Sequence, residues 1–172
     1  MIYTLVPLGN PGDAYINTRH NVARIVCDMV ENDFKCEMFV PETFMNESGK
    51  ALYEYLRYHD DREVIVMYDD KDLPFGNFRI SHDRGDGGHN GLKSVIEELG
   101  KRDFVRVRIG IAPHDTDGKE KLPPSGAMVQ KYVMANCTED EILMLKKLAP
   151  TIKDAVDTIV KEGYQKAMEL YN

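Results

Sequence analysis

Features that this chain lacks, or has little of, narrow the classes of protein to which it can belong. It has three cysteines, Cys27, Cys36 and Cys137, and no two of them form a CxxC pair. Scattered cysteines in odd number predict reduced thiols, as in a cytoplasmic protein. No apolar run approaches the length of a membrane-spanning helix. A basic region followed by a long apolar run is absent at the N-terminus, so no signal peptide is expected.

Several catalytic motifs are missing as well. The five histidines lack the spacing of metal ligands, and there is no HExxH, so no metal centre is expected. Neither a Walker loop nor GxGxxG occurs, so no nucleotide cofactor is implied. A GxSxG elbow is also absent, which favours direct attack by water over an acyl-enzyme if the protein is a hydrolase.

The composition is that of an ordinary globular protein. With 172 residues, 30% charged and 42% hydrophobic, the chain is long enough for one domain, spanning 1–172, with a real core. Its net charge of −7 argues against promiscuous nucleic-acid binding. The segment from Arg79 to Arg108 nevertheless has seven basic and five acidic residues, which leaves it at +2 and the remainder at −9.

Apolar runs alternate with amphipathic ones along the chain. This alternation predicts an α/β fold: a single domain with a mixed, largely parallel sheet flanked by helices on both faces. Thr138 to Glu141 has the pattern of a capping box, and Pro150 is expected to break or kink the helix that follows. The predicted strands are Ile2–Leu8, Met38–Pro41, Val64–Tyr68, Asn77–Ser81 and Val105–Ile111. The predicted helices are Asn21 to about Glu31, Ala51–Tyr58, a helix opening after Gly91, Thr138 to about Ala149, Thr151–Glu162 and Tyr164–Tyr171.

The stretch from Gly9 to Asn21 joins the first strand to the first helix. Such connections lie at the edge of an α/β sheet where ligands bind. His20 falls at the helix start, where the positive end of the dipole favours the neutral imidazole and suits a general base. The alternative is that the Asn, Thr and His side chains here only cap the helix.

Acidic side chains follow the second central strand. Asp69, Asp70 and Asp72 could ligate a metal, or one carboxylate could orient another side chain. Metal ligation has little support from the histidine spacing, although the acids alone leave open a magnesium ion held through a substrate phosphate.

The glycine-dense stretch Gly85–Gly91 opens a helix that carries Lys93 in its first turn. Backbone N–H groups at such a start can bind an anion, and the alternative is a flexible hinge. The strand Val105–Ile111 presents Arg106 and Arg108 on one face, which predicts a basic surface. Asp115–Gly126 reads as a mobile loop.

Four separated stretches of the chain form a pattern when they are taken together and in order. They are Leu8-Gly9-Asn10-Pro11-Gly12 with Tyr15 and Thr18-Arg19-His20-Asn21; Pro41-x-Thr43-Phe44-Met45-Asn46-x-Ser48-Gly49; Asp69-Asp70-x-Asp72-Leu73-Pro74-x-Gly76; and Gly87-Gly88-His89-Asn90-Gly91-Leu92-Lys93. This set closely resembles the bacterial-type peptidyl-tRNA hydrolases, and weaker similarity extends over nearly the whole chain.

The chain departs from this family in several places. Arg84-Gly85-Asp86 replaces a purer glycine run, and Ala112-Pro113-His114 replaces the family's usual Gly-x-Pro. The segment between the first helix and Pro41 is shorter than the family's and lacks room for its extra strands. Ala23 stands where the family has Gly. The loop after Ile111 looks expanded. None of these departures touches the residues that match the family's active site.

The resemblance implies hydrolysis of the ester that joins a peptide to the 3′-terminal ribose of tRNA. His20 is then the general base that activates water, and Asp69 accepts a hydrogen bond from it and stabilises its charged form. Asn10, Asn46 and Asn90 grip the peptide and polarise the carbonyl. By resemblance, Asn10 separates blocked from free amines, and Tyr15 and Phe44 pack against the substrate's terminal region.

The predicted partner is tRNA, with phosphate contacts from Arg79, Lys93, Arg106 and Arg108, and no membrane. A monomer in the cytoplasm is expected. Two alternatives remain at this stage: a non-catalytic RNA-binding relative of the same fold, and an esterase for small acylated metabolites, which the acidic net charge suggests.

Overall fold

One five-stranded sheet organises the computed structural model, which describes residues 1–113 and 124–172. The strand order is β2-β1-β3-β5-β4, in which only β4 runs antiparallel to its neighbour. The strands are β1 (Ile2–Pro7), β2 (Glu37–Met38), β3 (Arg62–Pro74), β4 (Phe78–His82) and β5 (Val105–Ala112). The predicted mixed, largely parallel sheet is confirmed.

Helices cover both faces of this sheet, as predicted. On one face the core contains residues of α1, α5 and α6, and on the other face residues of α2 and α3. The helices are α1 (Val22–Met29), α2 (Ser48–Leu56), α3 (Asn90–Leu99), α4 (Met128–Val133), α5 (Glu139–Glu162) and α6 (Tyr164–Tyr171). None of the described helices is long and apolar enough to cross a membrane.

Short 3-10 helices precede α1 and α2 and place residues beside the sheet edge. Arg19–Asn21 leads into α1, and Met45–Glu47 leads into α2. The helix predicted from Ala51 therefore begins three residues earlier, at Ser48. The first comes after β1 in the chain and the second after β2. Beyond the end of β1, the Leu8 N–H still donates to the Met67 carbonyl of β3.

Three further predicted boundaries were wrong. β3 does not end at Tyr68 but continues to Pro74, with a register irregularity between Asp70 and Pro74. The short strand before Pro41 is Glu37–Met38. Pro150 does not end its helix, because α5 runs from Glu139 to Glu162 with buried residues on both sides of the proline. Most of the loop predicted at 115–126 lies outside the described residues.

The sequence also predicted the start of α5 correctly. The Thr138 hydroxyl accepts from the N–H of Glu141, and the Glu141 carboxylate accepts from the N–H of Thr138. This reciprocal capping box satisfies two N–H groups at the helix start, which otherwise have no partner.

Close packing of α2 on α3 depends on a glycine. A Cβ on Gly49 would collide with the backbone carbonyl of Ser94, and the N–H of Gly49 instead reaches the Ser94 hydroxyl at 3.0 Å. Both α2 and α3 contact the 3-10 helix Met45–Glu47. The spacing between α2 and α3 therefore also positions this 3-10 helix and the start of α3 at one side of the sheet edge.

We predict that Gly49→Ala lowers the free energy of unfolding by about 1–3 kcal/mol, since the added methyl group meets backbone that cannot rotate away. Urea denaturation measures the change. Gly85→Ala is the matched control, because Gly85 has open space at its Cβ position. Equal stability of the two variants would contradict the packing argument.

Candidate active site

His20 is positioned by the 3-10 helix that precedes α1. It is buried, with 7% of its surface exposed, between Arg19 and Asn21, which are also buried. Neither Thr18 nor Asn21 caps a helix through its side chain, so the alternative that these residues serve only as caps does not hold. Contacts with residues distant in sequence hold this turn in place. The N–H of Arg19 donates to the carbonyl of Ala135, and the Arg19 guanidinium pairs with Glu141.

Asp69 lies within β3 and is buried. Its Oδ1 atom is 2.8 Å from Nδ1 of His20, so the predicted hydrogen bond between these two side chains is present. The other two acids have different partners: Asp70 pairs with Arg108 at 2.9 Å, and Asp72 pairs with Lys71 at 2.8 Å. One carboxylate therefore orients a histidine, and the other two form ion pairs.

His89 is the site residue that sequence reasoning missed. Its Nε2 atom is also 2.8 Å from Oδ1 of Asp69, so two imidazoles meet one carboxylate oxygen. At the same time His89 is the N-cap of α3, and its Nδ1 accepts from the N–H of Leu92 at 3.1 Å. Its place in the glycine-rich motif was visible in the sequence, but no spacing rule connects it with Asp69.

These contacts determine where the imidazole protons are. Because Nδ1 of His89 accepts a hydrogen bond, its ring proton is on Nε2 and is donated to Asp69. Asp69, as a carboxylate, accepts from Nδ1–H of His20 as well. The lone pair of neutral His20 is therefore on Nε2, and His20 lines the main cavity. That nitrogen is available as a base.

The protonation equilibria follow from this cluster. Burial lowers the pKa of His20, but the Asp69 carboxylate outweighs burial and raises that pKa above its usual value of 6.5. The expectation from the helix start alone, a more neutral His20, was therefore wrong in direction. Burial raises the pKa of Asp69, but the two histidines together hold it well below its usual range.

In residues 1–113 and 124–172, one group of side chains could share a metal ion: His20, Asp69 and His89, with ligand atoms within 4.8 Å of one another. A metal on Nε2 of His89 would move the ring proton to Nδ1, where the Leu92 N–H already donates. Metal binding would therefore disrupt the start of α3. The geometry favours a hydrogen-bonded cluster.

Asn10 is held in one orientation beside this cluster. Its Oδ1 accepts from the N–H of Met45 at 2.8 Å, which leaves Nδ2 as the donor facing the cavity wall near the Met134 sulfur, 3.8 Å away. Its backbone exchanges two hydrogen bonds of 2.9 Å with the side chain of Asn21. The amide can therefore donate to a carbonyl oxygen without carrying charge.

The cavity beside these residues has a volume of about 1030 Å³. Tyr15 and Phe44 meet edge to face at its rim, with ring centroids 6.0 Å apart, and Phe44 is 51% exposed. The structure thus brings together every predicted catalytic and substrate-binding side chain. Those lining the cavity are Asn10, Tyr15, His20, Phe44, Asn46, Asp69 and Asn90.

The four side chains predicted to contact phosphate differ in burial and in their distance from the cavity. Arg106 is fully buried, and its guanidinium donates to the backbone carbonyls of Arg84, Gly85 and Arg102. The basic face predicted for β5 is thus wrong at Arg106, because β5 is an interior strand with both faces covered. Arg108 lines the cavity, paired with Asp70.

The remaining two predicted contacts lie outside the cavity lining. Arg79 is exposed on β4 and donates to the backbone oxygen of Asn172. Lys93 is exposed on α3, 3.8 Å from Glu97. The prediction of an anion site at the start of α3 loses support, because two of the N–H groups there have partners within the protein. The N–H of Gly88 donates to the Asp86 carboxylate, and that of Leu92 donates to Nδ1 of His89.

Comparison with known proteins identifies the family. The family model for peptidyl-tRNA hydrolase matches residues 4–172. The peptidyl-tRNA hydrolase of Fervidobacterium nodosum is 39% identical, with 98% of this chain and 94% of that protein aligned. The chain belongs to the peptidyl-tRNA hydrolase family.

Other members agree in sequence and in fold. The peptidyl-tRNA hydrolase of Thermotoga maritima is 35% identical over 98% of this chain and 96% of its own length. The crystal structure of peptidyl-tRNA hydrolase from Acinetobacter baumannii has a TM-score of 0.83 at 25% identity, covering 99% of this chain and 94% of that chain. The four motifs that carried the resemblance thus surround one cavity in a chain that has the family's fold.

The raised pKa of His20 predicts the pH dependence of ester hydrolysis. Activity that needs neutral His20 rises with pH through that pKa. In Asp69→Asn the carboxylate is gone, so burial lowers the pKa of His20 and the acid limb of kcat moves to lower pH, while kcat itself falls by about 10²–10⁴-fold. Rates measured from pH 5 to 9 test this.

Asp61→Asn is the control for the loss of one negative charge, since Asp61 is exposed at the start of β3. An acid limb at the same pH in wild type and Asp69→Asn would mean that Asp69 does not set the basicity of His20. A change in KM alone would make Asp69 a binding residue.

Proposed function

We propose that this protein hydrolyses the ester bond of peptidyl-tRNA, releasing the peptide and free tRNA for reuse in translation. The observation that carries the proposal is the buried His20–Asp69 pair facing a cavity lined by neutral amides, in a member of this family. The whole chain, 1–172, is proposed to act as a single such domain, as a monomer in the cytoplasm where translation supplies the substrate.

His20 is the proposed general base. Its Nε2 takes a proton from water as the water oxygen attacks the ester carbonyl, and Asp69 stabilises the imidazolium that forms. The proton then passes to the departing 3′ oxygen of the ribose. The two N–H donors on Asp69 keep it ionised throughout, so it orients His20 without taking the proton.

The amides handle the peptide. Asn10 faces the substrate with its donor, Nδ2, because Met45 occupies its oxygen, and the contact of Nδ2 is a weak one to the Met134 sulfur at 3.8 Å. Such a donor can bind a carbonyl oxygen of the acyl group and polarise it as charge develops. Asn46 and Asn90 are exposed at the cavity and supply further neutral donors and acceptors. Tyr15 and Phe44 offer an apolar surface to the terminal region of the substrate.

The alternatives are less favoured. A non-catalytic RNA-binding relative would have no use for a buried base with its acceptor nitrogen in a cavity. An esterase for small acylated metabolites would have no use for basic side chains around the glycine-rich segment. Competition by bulk tRNA separates the enzyme functions, since tRNA inhibits only an enzyme that binds it.

Incubation of the purified protein with matched N-acetylated and free aminoacyl-tRNA tests the proposal directly. We expect rapid release of the acetylated amino acid and little release of the free one. Cleavage of small acylated esters with no inhibition by tRNA would overturn it in favour of the metabolite esterase.

We predict that His20→Ala lowers kcat on N-acetylaminoacyl-tRNA by about 10²–10⁴-fold, because the general base is lost. Binding of tRNA should change little. Single-turnover cleavage and filter binding measure the two effects separately. Turnover within a few-fold of wild type would reject the assignment.

Lys93→Ala should weaken tRNA binding and flatten its dependence on salt by roughly one unit or less in the log–log slope, since one phosphate contact releases its counterion. Cleavage of a short N-acetylaminoacyl nucleotide, which lacks most phosphates, should be much less affected. Lys161→Ala, an exposed lysine on α5 outside the basic segment, is the matched control. Equal slopes for all three proteins would leave Lys93 a solvated side chain.

A further inference from the structure

Arg24 connects the two chain segments that form one wall of the cavity. It lies in α1, one turn beyond His20, and is partly buried. Its Nη2 donates to the carbonyl of Gly9 and to that of Pro41, each at 2.6 Å, and its Nη1 donates to the carbonyl of Asn10 at 3.2 Å. One rigid guanidinium therefore binds three backbone oxygens from two separate loops.

Both loops carry substrate-facing residues. Asn10 is in the first, and the second runs from Pro41 to Met45, whose N–H binds the Asn10 side chain at 2.8 Å. Asn10 is thus held to the second loop twice, directly through Met45 and indirectly through Arg24. Within residues 1–113 and 124–172, loss of Arg24 would leave the Met45 bond as the direct hydrogen bond between Asn10 and this loop.

The absence of a side chain at Gly9 leaves the space that the Arg24 side chain occupies. An ideal Cβ on Gly9 would lie 2.6 Å from Nε and 2.7 Å from Cδ of Arg24, which is closer than real atoms approach. The position therefore needs glycine because Arg24 occupies the space. A methyl group at Gly9 would displace the guanidinium without altering its chemistry.

We propose that Arg24 is a positioning residue that sets the spacing between Asn10 and the Pro41–Met45 loop, and thereby the selectivity of the cavity for an N-blocked acyl group over one with a free amine. The inference rests on the proposed function. Arg24 itself does not line the cavity, and acts through Asn10.

Calorimetry with two non-hydrolysable probes tests this. They are adenosines whose ribose 3′ position carries an aminoacyl group through an amide in place of the ester, either N-acetylated or with a free amine. Wild type should prefer the acetylated probe. Arg24→Met should reduce the ratio of the two affinities by roughly 10–100-fold, since displacement of a positioning contact has that effect. Arg24→Lys should restore part of it.

Gly9→Ala should reproduce the loss, and adding it to Arg24→Met should change the ratio little further, because the side chain it displaces is already gone. Arg57→Met, an exposed arginine at the end of α2, is the control. In all variants the acid limb of kcat should stay at the wild-type pH, because the His20–Asp69 pair is untouched. Where Arg24→Met fails to fold, Arg24→Lys and Gly9→Ala carry the test.

Affinities that weaken equally for both probes, an unchanged ratio, or a wild type without preference would overturn the proposal and leave Arg24 a structural residue. Failure of the proposed function and failure of the proposal for Arg24 give different results. A wild type that does not cleave N-acetylaminoacyl-tRNA contradicts the proposed function. A wild type that cleaves it, with variants that keep the wild-type ratio, contradicts only the role of Arg24.

Discussion

Two imidazole N–H groups donate to a single oxygen of Asp69, and the site depends on that arrangement. An ionised carboxylate that is buried is costly unless hydrogen bonds offset its lost hydration. Three separate elements supply the parts: β3 holds Asp69, the 3-10 helix before α1 holds His20, and the start of α3 holds His89. The cap of α3 therefore also fixes the proton of His89 and indirectly that of His20.

The acidic side chains of β3 beside the cavity have local partners even though the protein is acidic. Asp69 faces two histidines, Asp70 faces Arg108 and Asp72 faces Lys71. One side of the cavity is lined by the neutral amides of Asn10, Asn46 and Asn90, which can bind carbonyl groups without strong attraction for a charged amine. The cavity thus combines a strongly organised base with a wall that carries little net charge.

Much of the fold followed from periodicity, and much of the candidate site from the resemblance of four motifs to one family. Alternating apolar and amphipathic runs predicted the strand and helix order, since burial on both faces requires continuous apolar strands. The pairing of His20 with Asp69 was expected because both follow strands at one sheet edge. The position of His89 was not, since it depends on how the glycine-rich turn approaches β3 in space.

Two of the wrong predictions, at Pro150 and at Arg106, share a cause, which is tertiary packing. Pro150 lacks an N–H, but α5 continues past it because Leu145, Ala149 and Ile152 pack into one core. Arg106 alternates as a surface residue would, yet the segment 84–85 and Arg102 cover that face of β5. Neither the packing around Pro150 nor the burial of Arg106 can be deduced from the local sequence.

The tautomers of His20 and His89 test the central claim most directly. Nitrogen-15 NMR of the imidazole rings in the folded protein, at a pH where both are neutral, reports which nitrogen carries the proton. The structure predicts the proton on Nδ1 of His20 and on Nε2 of His89. A proton on Nε2 of His20, or on Nδ1 of His89, would contradict the account, because His20 would then lack its basic nitrogen in the cavity or Asp69 would lose a donor.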